Sequence, residues 1–317
     1  MKKLVIAITA ILTCIYSYSQ DTSNHANDTA VTYKNQVFIL TDVVVRNNFN
    51  VASFIEYVKN DTTFYKAFKN LRVMSFSSFN DIQLKDKHGK TEASLNSRTR
   101  QTYANGCRTM EVNEERTTGD FYDSKGNYNY TTAQLYAGLF FTKGKVCGES
   151  NIVKNASFST KGKSGIDKHK EQLKQLFFNP GKKIPGIPFI GNKVALFDED
   201  VSKLYDFKID RRDYMGHPCY VFTIKPRQDL TSAERGDIVI DEMTTWFNAR
   251  TLEIIQRNYS LSYKAGVYSF DVSMEVQLEK LGDLLVPKVL RYNGEWDVIF
   301  KKKERAVFTA TLFDFKR

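Results

Sequence analysis

The chain has 317 residues, with 46 Lys and Arg against 36 Asp and Glu and a formal net charge of +10. That length makes one large β-rich domain or two smaller ones, and either can bury a substantial core; the 23 Phe and 17 Tyr suit strands. Basic residues are scattered, with Lys301-Lys302-Lys303 the one tight run, which argues against a nucleic-acid footprint and leaves anionic headgroups or polysaccharide as the partners the charge favours.

Residues 1–19 read as a signal peptide. Lys2 and Lys3 precede an apolar run from Leu4 to Tyr16, and Ser17-Tyr18-Ser19 supplies the small residues a signal peptidase needs, leaving Gln20 as the mature N-terminus. The run is shorter than the roughly 20 residues of a spanning helix. Thr13 stands before Cys14 where lipoprotein processing needs Gly, Ala or Ser. No later segment is long and apolar enough to cross a bilayer. The expectation is therefore an exported protein of the periplasm or outer envelope, or a secreted one.

Residues 20–35, rich in Asn, Thr, Asp and Ala, read as a flexible leader. The region 36–153 reads as an N-terminal α+β unit. Val37–Val45 is a first strand or plug. Val51–Lys59 and Thr62–Leu71 then carry Phe54, Ile55, Val58, Phe64, Phe68 and Leu71 at helical spacing, with Asp61 placed to cap the second run. Turn composition at 86–89 and 123–127 separates strands, while Ala133–Phe141 fits a helix or a buried strand equally.

The region 154–317 reads as a C-terminal antiparallel β unit with one helix, continuous with the first. A polar loop over 154–170 leads to an amphipathic helix from Asp167 through Phe178, and the apolar, Pro- and Gly-broken run Ile184–Gly191 follows. Alternating stretches joined by short turns then predict a meander of about eight strands. Asn293-Gly294 is read as a hairpin turn, because that pair accepts positive φ. In the longest stretch, Tyr268, Phe270, Val272, Met274, Val276 and Leu278 alternate with polar residues. Leaving that face wet would cost on the order of 10 kcal/mol, so helices or a ligand must cover it.

Three cysteines remain after export; three buried free thiols is one reading, and three pairings are open. Cys107–Cys147 is preferred because both sit near Gly in turn-rich segments. The four histidines, at 25, 88, 169 and 217, share no metal-ligand spacing with one another or with Cys. The sequence has no G-x-S-x-G, phosphate loop or dinucleotide fingerprint, and it marks no catalytic residue, metal or cofactor. Aromatics lie near bases around Arg257, Lys264 and Arg291; they fit a sugar or headgroup rim, and they also fit cross-strand packing.

Tyr205-Asp206-Phe207-Lys208-Ile209, Gly216–Pro226, Asp237–Asp241, the long strand and Leu285-Val286-Pro287-Lys288 resemble the LolA/LolB-like superfamily of envelope proteins over about residues 190–317. That resemblance implies export, a half-open antiparallel barrel plugged by helices, and lipid-like cargo. The fold expected is α+β, mainly β: a curved antiparallel sheet with helices on its concave face. The function expected is non-enzymatic binding of a lipid or lipoprotein acyl chain. Phe207, Phe222, Tyr268, Phe270, Val272, Met274 and Val276 would line the cavity. A binding or structural module for glycan or an envelope protein is the alternative, and a hydrolase of unrecognised type comes third.

Overall fold

The computed structural model describes residues 28–46, 49–153, 175–184, 189–265, 268–298 and 303–317. The expected signal peptide, the 154–170 loop and most of the 167–178 helix lie outside the described residues; 175–178 are helical. The fold is mainly β, a curved sheet that does not close into a barrel, with helices against one face.

Thirteen strands form this single sheet. In chain order they are β1 (Thr29–Tyr33), β2 (Gln36–Leu40), β3 (Ser75–Lys85), β4 (Thr91–Ala104), β5 (Cys107–Thr118), β6 (Val146–Cys147) and β7 (Tyr205–Tyr214). Then come β8 (His217–Pro226), β9 (Ile240–Asn248), β10 (Ile254–Ala265), β11 (Tyr268–Leu281), β12 (Leu284–Val298) and β13 (Glu304–Lys316). Across the sheet the order is β1-β2-β7-β8-β9-β10-β11-β12-β13-β3-β4-β5-β6. All neighbours pair antiparallel except β2 and β7, which are parallel. The 36–153 and 154–317 regions therefore share one sheet, joined where β13 pairs with β3.

Two local expectations change. Thr29–Tyr33, inside the stretch read as a leader, forms β1 and turns back to β2 through Lys34 and Asn35, both at positive φ as a type I′ turn requires. Polar composition concealed a strand whose Val31 and Tyr33 pack on the core. Asn293-Gly294, read as a turn, lies inside β12, paired to Ser273 and Val272 on one side and to Val307 and Ala306 on the other. Gly is needed there for another reason: an added Cβ would collide with the Tyr292 side chain, which lies over that position. The last third thus has seven strands, not about eight, because β9 and β12 each join stretches read as separate.

Register explains the core. Phe38, Phe207, Ile224, Met243, Tyr259, Met274, Tyr292, Phe308, Ile82 and Leu95 are successive cross-strand partners from β2 to β4, and all are buried. Partners in an antiparallel ladder point to the same side, so this is one continuous apolar row. Two residues along, Ile209, Phe222, Thr245, Arg257, Val276 and Leu290 form a second buried row with one charge in it.

Four helices and the 175–178 turn cover these rows. α1 (Asp42–Val45) leads to α2 (Val51–Asn60), whose Asn50 cap accepts from Ser53 N at 2.9 Å, and to α3 (Thr63–Asn70), where Asp61 accepts from Thr63 N at 3.0 Å. α4 (Thr131–Phe140) settles the helix-or-strand ambiguity at Ala133–Phe141. The Glu304 carboxylate accepts from Thr131 N at 2.7 Å and Thr132 N at 2.9 Å, so a negative charge sits on the helix's positive end. Cys107 and Cys147 are cross-strand partners joined by a disulfide, and Cys219 is a buried free thiol whose pKa burial raises.

Candidate functional site

The two faces of the sheet differ completely. On the helix-covered face, Phe207 stacks on Phe222 with ring centroids 6.1 Å apart, and Phe222 meets the edge of Phe54 from α2 at 5.7 Å. Phe270 lies 5.3 Å from Trp296. Val272, Met274 and Val276 follow it at alternate positions of β11, all buried. Six of the seven residues read as cavity lining thus lie under the helices; the seventh, Tyr268, begins β11 with its backbone opposite Val298, and its side chain lies outside the described residues.

These rows are mostly filled by protein. Phe54, Phe64, Phe68 and Tyr136 insert from the helices. A cavity of about 20 Å³ remains between α4, Phe177 and Phe178 on one side and Met274, Tyr292 and Phe308 on the other. Tyr259 and Tyr292, buried in the same row, stay neutral because burial raises their pKa values. A void of that size admits no acyl chain, so a chain entering here would have to part α4 and residues 177–178 from the sheet. Met274, unbranched and adaptable, lines that void.

The second row holds a feature that composition did not show. Arg257 is only 7% exposed, and its one hydrogen bond to a described residue is Nε donating to Thr245 Oγ1 at 2.9 Å. Its guanidinium lies 4.3 Å from the centre of the Phe64 ring. Lys182, close enough to feel Arg257's charge, donates to the Lys59 carbonyl. Neither cation has a carboxylate within ion-pair distance among the described residues; Asp61 acts on both from farther away while accepting from Thr63. Sequence reasoning left the aromatics around Arg257 open between a rim and cross-strand packing. The signal for burial was its phase: it alternates with Tyr259 and Leu261, both core residues.

Burial, then the neighbouring Arg257, lowers the Lys182 pKa from 10.5 to about 8. Between those values the unfolded chain holds the proton and the folded chain releases it, so stability should rise with pH above about 8. Chemical denaturation at pH 8 and at about 9.5 checks this. The wild type is expected to gain stability relative to Lys182→Met, and identical pH dependence in the two would contradict the assignment.

The opposite face is polar. Thr223, Thr244, Asn258, Glu275, Arg291 and Thr309 are successive partners from β8 to β13. They floor a trough of about 1060 Å³ that reaches Asp206 and Lys208 on β7. Its charges pair with one another: Arg291 with Glu275 at 2.6 Å, Arg212 with Asp210 at 2.7 Å and Lys225 with Glu242 at 3.1 Å. Trp246 gives it an aromatic wall, backed by Tyr214 at 5.5 Å. Among the described residues, no group of three His, Cys, Asp or Glu side chains could hold a metal, and no helix is long and apolar enough to cross a membrane.

The chain matches no family model and no curated protein. Among solved structures it is similar to a DUF1329 family protein from Desulfovibrio piger ATCC 29098, at 11% identity over 80% of this chain and 93% of that one, with a TM-score of 0.23. It is also similar to a domain named for outer membrane lipoprotein sorting from Vibrio parahaemolyticus, at 9% identity over 78% of this chain and 88% of that one, with a TM-score of 0.24. Likenesses of this size carry no argument about what the chain binds.

Proposed function

We propose that this is an exported, non-enzymatic envelope protein that takes an apolar ligand, a lipid or a lipoprotein acyl chain, between its sheet and its helices. The observation that carries the reading is the buried apolar row running unbroken from Phe38 to Leu95 beneath separate short helices. Short helices on a broad apolar face can part from it locally, and a ligand that binds the parted state makes it the populated one. Phe207, Phe222, Tyr268, Phe270, Val272, Met274 and Val276 are the proposed lining. Partners would be a lipid or acyl chain and, at delivery, another envelope protein.

A fluorescent long-chain fatty acid tests the reading. Saturable uptake, competed by the unlabelled acid, is the expected result; absence of uptake by delipidated protein is the adverse one.

The trough favours a second reading, a module that recognises glycan or a protein partner on the polar face. There Trp246 would stack on a sugar and the carboxamides and hydroxyls of Asn258, Ser260 and Thr223 would bond its hydroxyls. In that case the fatty acid is refused, and tryptophan fluorescence responds to an oligosaccharide in the wild type and not in Trp246→Ala.

A further inference from the structure

A buried guanidinium with no carboxylate at ion-pair distance among the described residues is costly, and a half-buried cation that feels its charge, Lys182, adds repulsion. Arg257 occupies a row in which its partners are Thr245 and Val276 and the next residue beyond Val276 is Leu290. Nothing in that row needs a charge. Packing alone would be served by an apolar residue there, as at Val276. Arg257 also has donors beyond Nε, and the described residues accept none of them. A planar fork with spare donors, whose charge reaches the Lys182 ammonium, suits an anion that presents two oxygens. Thr245 Oγ1, which accepts from Nε at 2.9 Å, fixes the plane of the fork.

We propose that Arg257 and Lys182 form the receptor for one oxyanion, a carboxylate or a phosphate, set into the helix-covered face. Resting on the reading above, that oxyanion is the headgroup of the acylated ligand, whose chain runs along the adjoining apolar row. The site lies against α3 through Phe64 and against the start of that helix through Asp61. Occupying it would couple headgroup capture to the seating of the helix layer. A free phosphate offers the same chemistry, so the test separates the two sources.

Inorganic phosphate is titrated against chloride at equal ionic strength, and melting is followed in the wild type, Arg257→Met and Lys182→Met. In parallel, delipidated protein is offered a long-chain fatty acid and the fatty alcohol of equal length. Phosphate should raise the melting temperature of the wild type, raise that of Lys182→Met less, and leave that of Arg257→Met unchanged. The acid should bind about tenfold tighter than the alcohol in the wild type, and no tighter in Arg257→Met. Arg257→Met removes a buried charge that has no ion pair among the described residues and is expected to fold; Lys182→Met, at a half-buried position, carries the test if it does not.

A phosphate effect lost in Arg257→Met, with neither lipid bound, keeps the oxyanion site with a free anion as its ligand and removes the lipid reading. Acid and alcohol bound equally by the wild type, with no variant-sensitive phosphate effect, overturns the oxyanion site and leaves the lipid reading standing. No response to phosphate and no lipid bound removes both.

Discussion

Phe54→Ala is expected to destabilise the protein by about 3–5 kcal/mol, the range for removing a large aromatic ring from a close-packed interior. Phe54 is 2% exposed and belongs to α2. Its ring lies 5.0 Å from Phe49, 5.2 Å from Phe247 and 5.7 Å from Phe222, so one side chain ties the helix to β8 and β9. Alanine would leave a cavity that Phe222 and Phe247, held by their own strands, cannot collapse to fill. Equilibrium urea unfolding measures the loss. Phe79→Ala is the control: that ring is 50% exposed on the polar face, stacked on Phe313 at 4.8 Å, and should cost about 1 kcal/mol or less. Similar costs for the two would mean that α2 does not seat on the sheet as described.

Removing the disulfide is the second large effect. Cys107 and Cys147 are 40 residues apart in sequence, and the segment they close contains α4. Releasing a loop of that length returns entropy to the unfolded chain worth about 4 kcal/mol in the chain-entropy account. Locally, β6 is only Val146–Cys147, too short to hold the sheet edge by its ladder alone. The ion pair of Arg108 with Glu149 and the bond from Arg108 to Thr142 lie beside it. The double variant Cys107→Ser with Cys147→Ser avoids unpaired thiols. Unfolding under oxidising conditions should show most of that loss in the double variant, and a wild-type curve from it would contradict the bridge. Cys219, buried with its pKa raised, should not react with a thiol reagent in the native protein.

Period-two alternation located the strands of the last third while splitting β9 and β12, and the three- and four-residue spacing of Phe54, Val58, Phe64 and Phe68 found the two helices that cover them. What sequence could not supply was register. Asn293-Gly294 has the local chemistry of a turn, yet the strands on either side of β12 pair with every residue from Val289 to Trp296, and tertiary pairing overrides the dipeptide. α4 was ambiguous because both its periodicities are apolar; Glu304, far along the chain, decides it from the helix's N-terminal end. Arg257 was legible in principle from its phase with Tyr259, but only the fold shows that this phase lies under α3. The polar trough was invisible, because its floor is assembled from residues on seven strands whose individual solvated faces look ordinary.

The apolar row beneath the helices is proposed to hold an apolar ligand. Native mass spectrometry of the protein purified from its own host, without detergent, tests it most directly. The expected spectrum carries a fraction of molecules heavier by the mass of one lipid or acyl chain, lost on delipidation and restored by the added fatty acid. A single species at the mass of the bare chain, unchanged by that addition, would contradict it.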